Sequence, residues 1–299
     1  MIKRTLYFGN PAYLKTDNLQ LVAELKKEEP ESHTIPIEDI GIIILDNPQI
    51  TITSGLMSRL LEQNVGLVTC DGTHHPVGLM LNLEGHTLQS QKHQAQVEVS
   101  QPLKKQCWQQ TIMAKIDNQA RLLKSLGMET NYLTALRDKV KSGDSDNCEA
   151  KAAVYYWRHL FAEVPDFRRE RYGPPPNNLL NYGYAILRAL VARALVGSGL
   201  LPSLGIFHRN QYNAYCLADD IMEPYRPYVD RLAYQIWQRE GEKASFLEPG
   251  LKKELLSIPA TDTRIDGKKS PLMTAVSRTT ASLARCFEGE SRKILYPEL

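Results

Sequence analysis

The residues best suited to chemistry fall in one run of the chain, from Gly199 to Pro227. It reads G-L-L-P-S-L-G-I-F-H up to His208, then reaches Asp219, Asp220 and Glu223, with Arg226 close behind. A neutral imidazole with carboxylates makes a hard, oxygen-rich site for a divalent cation with one nitrogen ligand. A nearby guanidinium suits a phosphate-bearing substrate. Together they point to phosphodiester chemistry. A further carboxylate, Glu149, comes from outside the run, at the head of D-N-C-E-A-K-A-A-V-Y-Y-W.

Each of these residues also has a plain structural reading. Asp146-x-x-Glu149 has capping-box spacing, so Glu149 could satisfy the backbone N–H groups of its own helix. A lone histidine is more often hydrogen-bonded than ligating, and Asp219, Asp220 or Glu223 alone reads as a solvated helix face. Arg226 is spaced to pair with Asp230 as readily as to meet phosphate. Glu223 precedes Pro224, which predicts backbone outside the α region and a helix end there. The small residues Ala150, Ala152 and Ala153 favour close helix packing around Glu149. His74-His75 follows the turn-forming Asp71-Gly72-Thr73 without carboxylate company and reads as surface.

Two grammars of sequence must position these groups. Up to about Leu83 the chain is written in short β-branched or apolar runs: Thr5–Phe8, Ile42–Leu45, Val65–Thr69 and Val77–Leu81, with helical spacing over Ser54–Gln63. From Gln89 the period lengthens to that of a helix. Expected helices are Gln89–Ser125, Asn131–Val140, Asp146–Ala162, Asn178–Val196, Tyr212–Met222, Tyr228–Gly241, Leu251–Ile258 and Thr274–Glu288. The predicted fold is α+β: a small β-rich N-terminal domain, 1–85, followed by a larger all-α catalytic domain, 86–299.

Composition narrows the function classes. With 299 residues, 42% hydrophobic and 23% charged, the chain is ordinary for a soluble protein large enough for two domains. The net charge of +2 conceals local clusters at Arg168, Arg169 and Arg171, at Lys252-Lys253 and at Lys268-Lys269, each a phosphate contact or plain solvated surface. Five scattered cysteines without a C-x-x-C pair argue against a zinc ribbon or a disulfide scaffold and favour a reducing cytoplasm. The apolar stretch Leu179–Leu201 carries Arg188 and Arg193, which predicts a buried helix rather than a membrane span.

The ordered motifs N-N-L-L-N-Y-G-Y-A-I-L, G-L-L-P-S-L-G-I-F-H and D-D-I-M-E-P-Y-R-P-Y-V-D, with E-A-K-A-A-V-Y-Y-W upstream, resemble the CRISPR-associated integrase, the larger subunit of the spacer-acquisition machinery. The wording M-E-P-Y-R-P resembles versions from type II systems. The resemblance implies that Glu149, His208 and Glu223 bind one Mg²⁺ or Mn²⁺, with Asp220 and Arg226 in support. It implies endonuclease and integrase activity, in which the 3′-hydroxyl of a captured DNA fragment attacks a phosphodiester at the edge of a CRISPR repeat. The implied partners are double-stranded DNA, a second copy of the chain and a small ferredoxin-like subunit, with the N-terminal domain as the dimerising surface. The commonest form of the family has aspartate at the last ligand position. Glutamate at 223 therefore leaves open whether Glu223 or Asp220 is the third ligand.

Other readings use the same residues. A stand-alone metal-dependent nuclease acting on branched DNA in repair needs identical chemistry. A non-catalytic nucleic-acid scaffold needs none. A non-haem iron oxygenase wants two histidines and one carboxylate, which matches least well.

Overall fold

The computed structural model describes residues 3–25, 31–72, 74, 76–171 and 173–299. The chain divides into two compact units, Met1–Thr87 and Leu88–Leu299. The fold is α+β, a sheet-rich N-terminal region and a mostly helical C-terminal one.

The first unit contains strands β1 (Arg4–Phe8), β2 (Ala12–Asp17), β3 (Gln20–Leu25), β4 (Glu31–Pro36), β5 (Ile40–Leu45) and β6 (Thr51–Ile52), helix α1 (Ser54–Glu62), then β7 (Gly66–Cys70) and β8 (Pro76–Met80). They make two four-stranded sheets, ordered β1-β5-β7-β8 and β4-β3-β2-β6. In the first sheet β1, β5 and β7 run parallel and β8 antiparallel. The run I-G-I-I-I-L of β5 is buried almost throughout, the near-continuous apolar pattern of a strand covered on both faces. Leu14, Leu21, Ile40, Ile43, Leu56 and Leu60 form the core between the strands and α1. Thr53 starts α1 by accepting the Leu56 N–H on Oγ1.

The second unit contains α2 (Gln89–Glu98), α3 (Gln101–Ser125), α4 (Asn131–Asp138), α5 (Cys148–Leu160), α6 (Asn177–Gly197), α7 (Cys216–Met222), α8 (Arg226–Glu240) and α9 (Pro249–Leu255), followed by β9 (Asp262–Ile265), β10 (Lys268–Pro271), α10 (Leu272–Phe287) and β11 (Pro297–Glu298). The single helix expected over Gln89–Ser125 is two. Ser100 caps α3, and Pro102 in its first turn has no N–H for a helix continuing from α2. The last three strands form a small sheet, ordered β10-β9-β11, that the helical periodicity did not announce.

Helix α6 is long and apolar enough to cross a membrane by composition alone, yet 83% of its most apolar window is buried in the protein. Arg188 leaves it to meet Asp219, while Arg193 is buried within it, and burial pushes its guanidinium down to about 10. The helix stops at Gly199, where φ is +75°, and the Leu200 N–H turns back to the Leu195 carbonyl at 2.9 Å.

Candidate functional site

One face of α3 underlies the whole site. Trp108, Lys115 and Asn118 recur at helical spacing, and all three are buried. Each fixes a different part of the chemistry-bearing segments.

Glu149 lies in the first turn of α5, but it does not cap that helix. Asp144 does so instead. Its two carboxylate oxygens accept the N–H groups of Cys148 at 2.9 Å and Glu149 at 3.0 Å. The Glu149 side chain is thereby released, and its Oε1 accepts a 2.6 Å hydrogen bond from Lys115 Nζ. The Asp146-to-Glu149 capping box is corrected accordingly: Asp146 pairs with Lys141 at 2.8 Å.

Glu223 sits between α7 and α8 in a tight 3-10 turn, Glu223–Tyr225. Its φ and ψ of −53° and −47° are helical, so the expectation that Pro224 would force it out of the α region fails. Tertiary bonds hold the turn. Asn118 donates to the Pro224 carbonyl at 2.8 Å, Arg226 Nε to Glu223 Oε1 at 2.8 Å, and Lys115 Nζ lies 2.6 Å from Glu223 Oε2. Both Glu223 oxygens are thus met by cations, Oε1 by Arg226 and Oε2 by Lys115. Burial works against the Glu223 carboxylate, but Arg226 and Lys115 outweigh it and hold the group well below the usual range. Lys115 is treated the same way. Burial disfavours its ammonium, while Glu223 and Glu149 raise it overall.

Asp220 is wholly buried and accepts four bonds. Oδ2 takes the N–H groups of Ile206 at 2.7 Å and Phe207 at 3.0 Å; Oδ1 takes the His208 N–H at 3.2 Å and faces His208 Nδ1 at 2.6 Å. This carboxylate therefore folds the L-G-I-F-H loop around itself. Gly205 is required there by space, since a Cβ would come within 2.4 Å of the His208 carbonyl and 2.8 Å of Asp220 Oδ2. The Asp220 bond raises the His208 ring above its ordinary value against the opposing effect of burial, and burial raises Asp220. With Nδ1 committed, Nε2 is the nitrogen left for a ligand. Trp108 stacks on Phe207 at 4.2 Å and meets the His208 ring edge-on at 5.8 Å, locking the loop onto α3.

Arg226 pairs with Glu223 rather than Asp230, and it lies 4.5 Å over the Tyr184 ring. Asp230 instead accepts the hydroxyls of Tyr156 and Tyr184. Asp219 is held by Arg188 at 2.7 Å and Asn213 at 2.7 Å. Arg169 is likewise structural, bonded to Asn177 and Asn181, and Lys252 is buried.

The structure thus brings Glu149 and Glu223 together on one ammonium. His208 lies close enough to Glu223 to feel its charge, although among the described residues no three His, Cys, Asp or Glu side chains are gathered as a metal cluster. Lys115, Asp144, Trp108 and Asn118 were not anticipated. A signal for Lys115 was present: it falls on the apolar stripe of Ile112, Ile116 and Leu123, where an unpaired lysine has no place. His74, read as surface without an acid, has one: its Nδ1 lies 2.8 Å from buried Asp46. Thr73 and His75 lie outside the described residues.

The donor set suits a hard divalent cation: two carboxylates drawn to one buried cation, and an imidazole with a single nitrogen left. A family model described as CRISPR associated protein Cas1 matches residues 6–262. The chain belongs to the Cas1 family of CRISPR-associated endonucleases and integrases. It is 36% identical over 302 residues to the CRISPR-associated endonuclease Cas1 of Neisseria meningitidis serogroup C (strain 8013), covering 100% of this chain and 97% of that one. Its fold resembles a casposase bound to integration product, with a TM-score of 0.79, 22% identity and coverage of 98% and 92% of the two chains. It also resembles a Cas6-RT-Cas1–Cas2 complex chain, with a TM-score of 0.76, 22% identity and coverage of 100% of this chain and 37% of that one.

Proposed function

We propose that this Cas1 protein inserts captured DNA fragments into a CRISPR repeat array, using one Mg²⁺ or Mn²⁺ held by Glu149, His208 and Glu223. The observation that carries the reading is the sharing of one cation by Glu149 and Glu223, with the His208 ring near enough to Glu223 to feel its charge and its Nδ1 turned to Asp220. Glu223 is the third ligand and Asp220 is not, because the Asp220 oxygens already serve three backbone N–H groups and the His208 ring.

When bound, the ion would lower the pKa of the attacking hydroxyl and stabilise charge on the phosphorane-like transition state. The protein residues set that up. Asp220 fixes the His208 tautomer and ring plane. Arg226 and Tyr184 keep Glu223 in one orientation. Attack by a DNA 3′-hydroxyl gives joining, and attack by water at the same site gives endonuclease cleavage. The likeness to a casposase bound to integration product and to a Cas1–Cas2 complex supports DNA and a partner subunit. This reading takes the DNA as double-stranded, the subunit as small and ferredoxin-like, and a second copy of the chain as a further partner. The N-terminal unit supplies the dimerising surface in this reading.

The test mixes the protein with its small partner, a fragment bearing a 3′-hydroxyl and a supercoiled plasmid carrying the repeat. Joined product in Mn²⁺ or Mg²⁺, absent with 3′-blocked ends and absent from Glu149→Ala, is expected. Cleavage of branched DNA with no joining under any of these conditions would instead identify a repair nuclease.

A further inference from the structure

The Lys115 side chain is only 10% exposed and its ammonium lies 2.6 Å from an oxygen of each carboxylate, the position a shared cation takes. We infer that Lys115 is a resident cation that keeps the site assembled before metal arrives and must swing out for the metal to load. This inference rests on the metal reading proposed above, and it adds a residue that neither binds the ion nor touches the reacting atoms.

Charge and shape carry the argument. Glu149 and Glu223 bring two negative charges, and Lys115 with Arg226 brings two positive ones, so the cluster is neutral as folded. A divalent ion added beside both cations leaves two uncompensated positive charges where burial weakens screening. Departure of Lys115 removes one of those two positive charges. Arg226 cannot be the group that leaves. Its Nε donates to Glu223 Oε1 and its planar guanidinium lies over the Tyr184 ring, so it is held by two contacts that leave its stem little freedom. Lys115 has a flexible four-carbon stem, and Glu149, one of its two partners, is 24% exposed. Its anchor, α3, need not move, because Trp108 and Asn118 hold that face to the site's loops.

Two measurements on the full chain test this. Isothermal titration with Mn²⁺ compares wild type, Lys115→Met and Lys115→Arg. Removing the charge is expected to tighten Mn²⁺ binding by about ten- to hundredfold, as loss of a nearby like charge predicts, whereas arginine does not tighten it. The metal-free Lys115→Met protein melts at a lower temperature and gains more from Mn²⁺ than wild type does. The second measurement needs no variant: acylation of lysines by an N-hydroxysuccinimide ester, read by mass spectrometry, is expected to label Lys115 at least severalfold faster once Mn²⁺ is added. Unchanged or weaker Mn²⁺ binding by Lys115→Met, with Lys115 still protected in Mn²⁺-bound wild type, overturns the inference while leaving the metal site intact. Failure of wild type and Lys115→Met alike to bind Mn²⁺ overturns both.

Discussion

Among the described residues, two histidines offer Nδ1 to a fully buried aspartate, one in each unit. His74 meets Asp46 at 2.8 Å, and His208 meets Asp220 at 2.6 Å. The pairs differ in company. Asp46 also takes a bond from the Tyr7 hydroxyl at 2.6 Å, a neutral donor whose own ionisation is pushed out of reach by burial and by Asp46. Asp220 takes backbone N–H groups, and its histidine stands near a carboxylate that shares a cation with a second one. The comparison teaches that a buried His–Asp pair is a way of orienting a ring. Chemistry needs the additional acids.

The hardest break of that comparison removes ligands. Glu149→Ala, His208→Ala and Glu223→Ala are each expected to lower DNA joining by about 10²–10³-fold or more, because each withdraws a group that holds transition-state charge. His74→Ala is expected to stay within about threefold of wild type. Loss of joining in His74→Ala with retained folding would erase the distinction.

A third buried aspartate sharpens it. Asp230 has two phenol donors and no imidazole, and burial pushes it up to about 7. A carboxyl whose folded value lies above its unfolded value of about 4 stabilises most below the latter, and that contribution drains away as pH rises through the folded value. Urea melts of wild type and Asp230→Asn should therefore diverge by up to about 4 kcal/mol between pH 4 and 7, wild type losing ground as pH rises. A pH-independent difference would mean that Asp230 stays ionised.

Smaller effects separate the pairs themselves. Asp220→Asn is expected to weaken Mn²⁺ binding by about 10–100-fold, the usual consequence of losing a ligand's orienting partner. Asp46→Asn should leave it unchanged. In wild type, Mn²⁺ affinity should fall as pH drops through the His208 titration, at a pH above about 6.5 because Asp220 raises the ring, and Asp220→Asn should move that midpoint down. Smallest of all, Tyr7→Phe is expected to cost about 1–2 kcal/mol of stability by chemical denaturation, the worth of one bond to a charged acceptor, with joining unaffected.

Much of this architecture was legible from the sequence, and the exceptions have physical reasons. The 3.6-residue period located every large helix, because apolar stripes such as that of α10 must face a core. The N-terminal β2–β3–β4 meander leaves little trace in the sequence, since its strands carry Lys, Thr, Glu, Gln and His and so lack a long apolar run. His208, Glu149 and Glu223 were visible as residue types in an ordered spacing. The Lys115 contacts were not, since they span 34 residues to Glu149 and still more to Glu223, and a single sequence carries no record of such pairings. The Glu223 turn departs from the local rule for residues before proline because Asn118, Lys115 and Arg226 hold it from outside.

The division of labour at the head of α5 has a practical side. Because Asp144 holds the first backbone N–H groups of that helix, the side chain of Glu149 contributes nothing to starting it. In the reading proposed above, changing Glu149 withdraws a metal ligand while leaving the start of α5 intact. Such a variant is the natural bait for trapping DNA on the intact assembly before any strand is cut, and for obtaining an image of the uncleaved complex.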